Sequence, residues 1–441
     1  MARVSASTGE YAMWARGIMG AKAMRKGLHM GTYIDPGNAG FERILRRRYV
    51  DKTGLIALVN DVINSTEAFV CVTRPRRFGK SFAAQSLVAY YCFGCDSRSL
   101  FEGLEISRDP SFEEHLNAYH VVRLDMASFT GRVGPDVVPE MRRVLAAELE
   151  AEFDCVVPGA DLEEQFLQVV RATGRRFVFV IDEWDAPFRD ARRDERAQER
   201  YVRFLRLLFK NASFTPEAVA AAYITGILPI KRYGTQSDMT DFDEYTMVRP
   251  LRFAPYVGFT EDEVAKLTSE YGMDAAEMRR WYDGYVLGRA GHVYAPFSVM
   301  KACTNGEVGP YWTSSETFEL LRFHIDMDFD GLQADIVRAL GGDELSVEPG
   351  MFQNDMRIIN GRDDVLTLLT HLGYLTYEEE PDSYDDDSVV GLVRIPNEEV
   401  RSEFDKILRK AEHKSLIELV KKSDQLLKDT LEGKSDAVAK A

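Results

Sequence analysis

The chain has 441 residues and a mass of 50.0 kDa, a length that is typical of two or three domains. Hydrophobic residues make up 45% and charged residues 29%, as in an ordinary globular protein with a sizeable core. The net charge of -16 argues against a protein that coats nucleic acid non-specifically, although the basic stretches 42–49 and 74–77 leave room for a local basic groove.

The cysteines and the apolar runs indicate the compartment. Five cysteines at irregular spacing form no disulfide framework, so we expect a reducing compartment, the cytoplasm. Cys92 and Cys95 have CxxC spacing but no second pair, and two half-buried cysteines are a simpler interpretation than a zinc or redox site. No apolar run reaches the roughly 20 residues of a membrane span. The first 29 residues lack the apolar middle of a secretion signal and are expected to be a loose extension.

Short apolar runs alternate with helical patterns from Tyr49 to about Pro255. The strands are predicted over 68–73, 120–126, 177–182 and 220–227, and the helices over 81–91, 136–152, 161–172 and 196–212. The third strand is continuously apolar, as expected for a parallel strand that is covered on both faces. Strands that alternate with helices predict an α/β fold with a doubly wound parallel sheet.

The pattern changes after about Phe259. Helices are predicted to dominate to about Leu340, and the first begins with an N-cap at Thr260. Two strands with flanking helices then suit a small winged-helix-like α+β module, and the acidic loop 378–388 between them is interpreted as a solvated hairpin tip rather than a metal site. The predicted domains are an extension over 1–30, an α/β domain over 31–255, a helical lid over 256–345, and a winged-helix-like module with a C-terminal helix over 346–441.

The stretch RPRRFGKS, residues 74–81, ends in the Gly-Lys-Ser of a phosphate-binding loop, between a predicted strand and a predicted helix. In such loops backbone N–H groups bind phosphate at a helix N-terminus, the lysine reaches the terminal phosphates, and the hydroxyl binds magnesium. The first glycine of the usual motif is replaced by Arg74, so the loop needs a different entry, which Pro75 could stiffen. Taken alone, the stretch leaves open a chance Gly-Lys-Ser at a helix start.

A second motif favours the phosphate-binding interpretation. Asp182 and Glu183 follow the apolar third strand, about 100 residues after Ser81. In P-loop ATPases an aspartate at this place holds magnesium through water, and the following glutamate polarises the attacking water. A helix cap after a strand is the simpler alternative, but both motifs in this order favour the ATPase. Asp185 is a less certain acidic neighbour, and Trp184 is expected to pack.

Further polar residues end predicted strands. Thr225 is a candidate sensor of the γ-phosphate or the catalytic water, as in the additional-strand class of P-loop ATPases, or else a turn residue before Gly226. Asp125 is a weaker candidate for orienting the site. The WYDGY segment, 281–285, is expected to pack rather than to cover a nucleotide. The cation that would stabilise a transition state is left open, and the candidates are Arg76, Arg77, Lys231 and Arg232, of which Arg76 and Arg77 could instead be structural.

The order of short segments resembles the bacterial predicted AAA-ATPase-like family from about Gly31 to the C-terminus. The segments are YVDKTGLI, RPRRFGKS, LFEGLEI, VIDEWDAP, ITGILPIKRYG, WYDGY, YAPFSVM, GYLTY and IPNEEVR. RPRRFGKS resembles that family's own form of the Walker A element, which makes the missing glycine a family trait. The resemblance implies a nucleotide-binding loop of Arg76, Arg77, Phe78, Gly79, Lys80 and Ser81, and a Walker B element of Asp182 and Glu183.

The resemblance also implies ATP and Mg²⁺ as ligands and a P-loop NTPase of the AAA-like or STAND-like type. Lys80, Glu183 and Thr225 are the expected catalytic residues, and Ser81 with Asp182 the expected metal ligands. Many relatives continue into a PD-(D/E)XK nuclease-like domain, whose acidic motif is not found in this sequence, so DNA cleavage is not expected. The alternative function is a nucleotide-gated module with little turnover that recruits a protein or nucleic acid through its C-terminal part, and a homo-oligomer is possible.

Overall fold

A computed structural model of the chain describes residues 30–189, 194–230, 232–233, 236–237, 241–312, 331–352, 359, 361–380 and 390–410. Several predicted features lie outside these residues. They are the extension up to residue 29, the candidate cation Lys231, residues 381–388 of the acidic loop, and the C-terminal helix beyond residue 410. Within the part that is described, no helix is both long enough and apolar enough to cross a bilayer.

The described residues form thirteen strands and seventeen α-helices. The strands are β1 Phe69–Thr73, β2 His120–Asp125, β3 Phe177–Asp182, β4 Val219–Gly226, β5 Arg232–Tyr233, β6 Gln236–Ser237, β7 Asp243–Tyr245, β8 Phe259–Thr260, β9 Tyr285–Val286, β10 His292–Tyr294, β11 Leu345–Val347, β12 Thr376–Glu379 and β13 Gly391–Arg394. The helices of the first half are α1 Ala39–Leu45, α2 Gly54–Asn60, α3 Lys80–Tyr91, α4 Arg98–Phe101, α5 Phe112–His115, α6 Met126–Val133, α7 Val137–Glu152, α8 Leu162–Thr173, α9 Ala186–Arg189, α10 Glu195–Phe209 and α11 Thr215–Ala218. Those of the second half are α12 Glu261–Tyr271, α13 Ala275–Tyr282, α14 Pro296–Asn305, α15 Leu332–Leu340, α16 Arg362–Leu372 and α17 Glu398–Lys410.

The chain divides into two compact units. The first unit comprises Met1–Val72, Lys80–Gly226 and Gln236–Glu244, and the second comprises Thr73–Gly79, Ile227–Thr235 and Tyr245–Ala441. The segment between β1 and α3 therefore groups with the second unit, although the strand before it and the helix after it belong to the first.

The first unit contains a five-stranded sheet with the order β2-β3-β4-β1-β7. Strands β2, β3 and β4 are parallel, as the sequence predicts. Strand β4 lies between β1 and β3, so the strand that precedes Gly-Lys-Ser and the strand that ends in Asp182 are not neighbours. This inserted strand defines the additional-strand arrangement of P-loop folds, and the predicted α/β class is confirmed.

The sheet is buried because its central strands carry almost only apolar side chains. All residues of β3 and of β4 are buried. Phe166 of α8 packs its ring against Phe177 and Phe179 of β3, with centroids 4.8 and 5.7 Å apart. Phe209 of α10 packs against Phe179 at 5.4 Å. Helices that cover the strands in this way explain why β3 reads as an uninterrupted apolar run.

The second unit contains two three-stranded sheets. Strands β8, β10 and β9 form one antiparallel sheet within the segment that the sequence predicts to be mainly helical. Strands β11, β13 and β12 form the other; in the chain, α16 lies between β11 and β12, and α17 follows β13. The predicted N-cap at Thr260 is confirmed as a capping box, in which the side chains of Thr260 and Glu263 each accept a backbone N–H.

The WYDGY segment of the second unit is packed, as expected. Tyr282 is buried, and its hydroxyl contacts the backbone of Gly309, donating to the carbonyl at 3.0 Å and accepting from the N–H at 2.8 Å. The buried Tyr285 donates to the carbonyl of Gly373 at 2.8 Å. Gly284 has a φ of +112°, and a Cβ there would lie 1.9 Å from the carbonyl oxygen of Pro396, so only glycine fits.

Glu399 at the start of α17 is a buried acid that holds a loop of the second unit. Its Oε1 accepts the backbone N–H groups of Tyr311 and Trp312 at 2.7 and 2.8 Å. Burial raises the pKa of Glu399 to about 7, and the charge of nearby Glu403 acts in the same direction, while the two N–H groups oppose it. The protonated form is therefore favoured by folding.

We expect the stability of the second unit to fall as the pH rises through about 7. A group whose pKa is raised by folding stabilises the folded state fully at a pH below its pKa in the unfolded chain, and this stabilisation is lost as the pH rises through its pKa in the folded protein. For Glu399 the stabilisation is at most about 3 kcal/mol. Glu399→Gln keeps an oxygen that accepts both N–H groups, so it should flatten the decline. Calorimetric melting between pH 5 and 8 measures this, with the neighbouring Glu398→Gln as control. An unchanged slope in Glu399→Gln would contradict the assignment.

Candidate functional site

Three polar residues end adjacent parallel strands of the first unit. Asp125 of β2 pairs in register with Asp182 of β3, which in turn pairs with Thr225 of β4. Ligands of open α/β sheets bind outside the carboxyl ends of the strands, and these residues stand at that edge. The alignment that the sequence predicts for them is present.

Lys80 and Ser81 begin α3 beside the acids of β3. The Ser81 hydroxyl hydrogen-bonds the carboxylate of Asp182. Lys80 is 7% exposed, and burial lowers its pKa to about 8, although the charges of Asp182 and Glu183 favour the ammonium form. Burial also raises the pKa of Asp182, against the opposing effects of Ser81 and Lys80. A buried cation and a buried carboxylate thus lie beside the hydroxyl of Ser81, which is exposed.

Glu183 is held by an arginine and by an unusual backbone conformation. Its φ is +50°, a region that residues other than glycine rarely adopt and that often marks functional positions. Its Oε2 lies 2.6 Å from Nη2 of Arg189, and Nε of Arg189 lies 3.0 Å from Oδ2 of the fully buried Asp185. The carboxylate of Glu183 is consequently neutralised in this structure.

Packing beneath the acids fixes their positions. Trp184 is 1% exposed, its backbone N–H donates to the carbonyl of Thr225 at 3.0 Å, and its carbonyl accepts from the hydroxyl of Tyr201 at 3.0 Å. A Cβ at Gly226 would lie 2.5 Å from Oδ1 of Asp185 and 2.7 Å from the Trp184 ring, so glycine allows the close approach. Trp184 is a packing residue, as predicted.

Thr225 and Asp125 use their side chains locally. The Thr225 hydroxyl is fully buried and donates to the carbonyl of Val72 at 2.8 Å, on the neighbouring strand β1. Asp125 accepts from the backbone N–H and the hydroxyl of Ser128 and caps α6. The sensor role of Thr225 and the orienting role of Asp125 therefore stay predictions.

Arg74 replaces the first glycine of the motif with a buried cation. The side chain is fully buried, and its Nη1 lies 2.8 Å from the carbonyl oxygen of Thr73 and 3.1 Å from those of Tyr245 and Thr246. A guanidinium carries several donors in a fixed plane and so can satisfy several carbonyls at once. The different entry that the sequence demands of this loop is a clamp between two segments of the second unit.

The residues after Arg74 are also engaged within the second unit. Nη1 of Arg77 donates to the carbonyl of Tyr311 at 2.5 Å, and its guanidinium lies 4.3 Å from the centre of the Phe297 ring. Phe78 is 1% exposed and packs edge-on against Tyr285. These contacts give Arg77 and Phe78 structural roles in the loop.

Two backbone features complete the loop. The carbonyl of Arg76 accepts from the indole N–H of Trp312 at 3.4 Å. Gly79 has a φ of +93°, and a Cβ would meet no atom within 4 Å, so its glycine is required by the backbone conformation and not by crowding.

Arg189 is the functional candidate that the sequence analysis missed. It lies six residues after Glu183 and contacts both Glu183 and Asp185, which are part of the acidic cluster. Glu183 and Arg189 are six residues apart, and this spacing does not predict an ion pair along a helix, which needs three or four residues. The i,i+4 spacing of Asp185 and Arg189 was the available signal.

We expect Arg74→Gly, which restores the usual motif, to weaken the protein. The change leaves three carbonyl oxygens without the guanidinium that binds them, and unmade buried hydrogen bonds of this kind cost together about 3–5 kcal/mol. Urea unfolding and nucleotide titration of the variant measure the loss.

Arg46→Ala is the matched control for Arg74→Gly. The Arg46 side chain is 70% exposed, and its single ion pair to Glu42 lies on the surface, where such pairs contribute little. Its unfolding curve should match the wild type. Equal stability and affinity in Arg74→Gly would show that the clamp is dispensable.

The comparisons with known proteins agree with the site. Residues 37–235 match the family model described as predicted AAA-ATPase, AAA-ATPase_like. A curated relative, the "Uncharacterized protein in vnfD 5'region" of Azotobacter chroococcum mcd 1, is 28% identical over 281 residues, which are 61% of this chain and 51% of the relative. The chain thus matches about half the length of that relative.

Solved structures show a weaker likeness. The Walker-type ATPase PABY2304 of Pyrococcus abyssi is 11% identical, with a TM-score of 0.35 over 80% of this chain and 94% of its own. The ORC2 protein of Aeropyrum pernix, in its ADPNP–ADP complexes, is 12% identical with a TM-score of 0.36, over 83% and 98% of the two chains. The fold assignment rests on the strand order of the first unit rather than on these scores.

The family match covers the strand before Gly-Lys-Ser, the helix that begins at Lys80 and the strand that ends in Asp182. The resemblance that the sequence suggested is confirmed over this segment, and beyond residue 235 it stays a prediction. Over residues 37–235, the chain therefore resembles the predicted AAA-ATPase family.

Proposed function

We propose that the protein binds ATP with magnesium and hydrolyses it to gate a conformational change. One observation carries the proposal: the cluster of Lys80, Ser81, Asp182 and Glu183 at the carboxyl ends of the parallel strands, in which Lys80 and Asp182 are buried. Burial lowers the pKa of Lys80 despite the carboxylates beside it, so a further anion, such as the terminal phosphates of a nucleotide, would stabilise the ammonium form.

The oxygens of Ser81 and Asp182 fit a magnesium ion. Mg²⁺ prefers hard oxygen ligands and keeps several of its waters, so one hydroxyl and one carboxylate are a suitable protein contribution. The Ser81 hydroxyl and the Asp182 carboxylate are already hydrogen-bonded to each other, so both are close enough to contact one metal ion. Bound magnesium would neutralise charge on the phosphates. Lys80 would hold the terminal phosphates, and Ser81 and Asp182 would orient the metal.

Glu183 is the proposed general base that orients and polarises the attacking water. In this structure its carboxylate is paired with Arg189 at 2.6 Å. A paired carboxylate is a weaker base, so Glu183 must exchange Arg189 for water before it acts. Thr225 is proposed to sense the terminal phosphate, which requires its hydroxyl to leave the carbonyl of Val72.

The Arg189 pair favours a second candidate function, a nucleotide-dependent switch with little turnover. If Arg189 keeps Glu183 neutralised after ATP binds, hydrolysis is slow and the bound state persists. Phosphate release measured with ATP in excess over the protein separates the two functions. Sustained phosphate release supports the ATPase, and one phosphate per chain followed by a plateau supports the switch.

The compartment, the domain roles and the partners of the protein are also proposed. We propose the cytoplasm as the compartment and a bacterial family context, in keeping with the free cysteines among the described residues. The segment 256–345 is proposed as a lid, and the winged-helix-like module over 346–441 as the surface that recruits a protein or nucleic-acid partner. A homo-oligomer is also proposed.

Lys80→Ala should weaken ATP binding at least about 100-fold. The substitution removes the buried cation of the site, and a charge-assisted hydrogen bond to phosphate contributes about 3 kcal/mol. Calorimetric titration with ATP and magnesium measures it. Lys52→Ala, a lysine outside the cluster, is the control. Wild-type affinity in Lys80→Ala would contradict the assignment of the loop.

Glu183→Gln should keep ATP binding and lower turnover by about 10²–10⁴-fold. Glutamine preserves the shape of the side chain but cannot accept a proton from water. Phosphate release at saturating ATP measures the effect, and binding is measured on the same sample. Wild-type turnover in this variant would remove Glu183 from the role of general base while leaving the binding proposal intact.

ATP affinity should decline above about pH 8. Burial lowers the pKa of Lys80 to about 8, so the cation is lost as the pH rises through that value. Bound phosphates favour the ammonium form, so binding at pH 8 should take up about half a proton, and binding at pH 7 almost none from this group. Titrations in two buffers of different ionisation enthalpy measure the uptake. Affinity that is constant from pH 7 to 9 would contradict it.

A further inference from the structure

The cysteine pair of the CFGC segment lies in the first unit, directly after α3, and has no part in the proposed function. Gly94 has a φ of +90° and allows a tight turn between the two cysteines. The Sγ of Cys95 lies 3.2 Å from the carbonyl oxygen of Cys92. A four-residue turn brings its first and last Cα atoms within about 7 Å. This is close to the span that a disulfide bridges.

Hydrogen-bond donors surround both sulfurs. Nδ2 of Asn117 lies 2.7 Å from the carbonyl oxygen of Cys92 and 3.5 Å from the Sγ of Cys95. The hydroxyl of Ser97 lies 3.5 Å from the same sulfur, and the N–H of Gly37 donates to the Sγ of Cys92 at 3.3 Å. These donors fix the turn and stabilise negative charge on sulfur.

The two thiols differ in exposure and in acidity. Cys95 is partly exposed, whereas Cys92 is fully buried. Interaction with Cys92 lowers the pKa of Cys95, and the Ser97 hydroxyl acts in the same direction, while burial and the charge of Asp35 oppose them. The same interaction, followed by burial, raises the pKa of Cys92. A partly exposed thiol with a lowered pKa beside a buried thiol is the arrangement of a reactive cysteine and its resolving partner.

A metal site fits the segment less well. Zinc takes four ligands in structural sites, and the described residues contain no group of three or more His, Cys, Asp or Glu side chains that could hold a metal ion. Oxidation of the two thiols to a disulfide is therefore the chemistry that the Cys92–Cys95 pair supports best.

We propose that Cys92 and Cys95 form a hydroperoxide-responsive dithiol. The Cys95 thiolate attacks the distal peroxide oxygen, the O–O bond breaks, and the products are the Cys95 sulfenic acid and an alkoxide or hydroxide that takes up a proton. The Cys92 sulfur then attacks the Cys95 sulfur. The S–O bond breaks, the oxygen leaves as water with the Cys92 proton, and a disulfide closes. The peroxide is reduced by two electrons, and two thiols are oxidised.

Hydrogen peroxide treatment of the reduced full-length protein tests the proposal. The free thiols counted after denaturation should fall from five to three, the mass should fall by about 2 Da, and peptide mapping should find the Cys92–Cys95 disulfide. Without prior oxidation, Cys95 should react with iodoacetamide at least about 10-fold faster than Cys155 at pH 7. Cys155 is also partly exposed, but burial raises its pKa.

Three variants make the test specific. Cys92→Ser should stop at a Cys95 sulfenic acid that dimedone traps, and Cys95→Ser should lose the response to the same dose. Cys155→Ser is the control and should oxidise like the wild type. Oxidation confined to other cysteines, or a response retained in Cys95→Ser, would overturn the proposal. The wild-type mapping decides the question even if a variant does not fold.

Discussion

The buried ammonium of Lys80 is the constraint on which the site depends. Removing a lysine charge from water costs free energy unless anionic groups surround it. The carboxylates of Asp182 and Glu183 partly compensate that cost, and they are at hand because parallel pairing carries the ends of β2, β3 and β4 to one edge. The pKa of Lys80 still falls to about 8, so the compensation is incomplete. An added anion would therefore stabilise the ammonium form of Lys80 further.

The backbone of the loop before Lys80 is held by a buried arginine side chain. A glycine at position 74 would give the backbone freedom, whereas Arg74 fixes it by binding three carbonyl oxygens. Arg77 and Phe78 add contacts to Tyr311 and Tyr285. Only Gly79 keeps the conformational freedom that the turn into α3 requires. The loop is therefore less flexible than one with glycine at position 74. The basic side chains of Arg74 and Arg77, which in the sequence suggest anion binding, instead hold the loop in place.

The sequence predicted features that depend on local patterns and missed those that depend on distant partners. The bounds of β3 were predicted to the residue, because its apolar run is unbroken and ends in Asp182. The cluster of Lys80, Ser81, Asp182 and Glu183 followed from motif spacing. The partners of Arg74 are 171 and 172 residues away, and no local pattern indicates them. The strands β8, β9 and β10 are two or three residues long, too short for a period-2 signal.

The clamp of Arg74 has a consequence for the order of events during synthesis. The loop leaves the ribosome early, but the carbonyl oxygens of Tyr245 and Thr246 that it binds are made 171 and 172 residues later. At typical bacterial to eukaryotic elongation rates of about 5–20 residues per second, this gap is about 10–35 s. For that time the basic loop is present without its long-range partners. Nascent chains therefore carry an unanchored cationic segment, whose Arg74 is fully buried only in the finished protein.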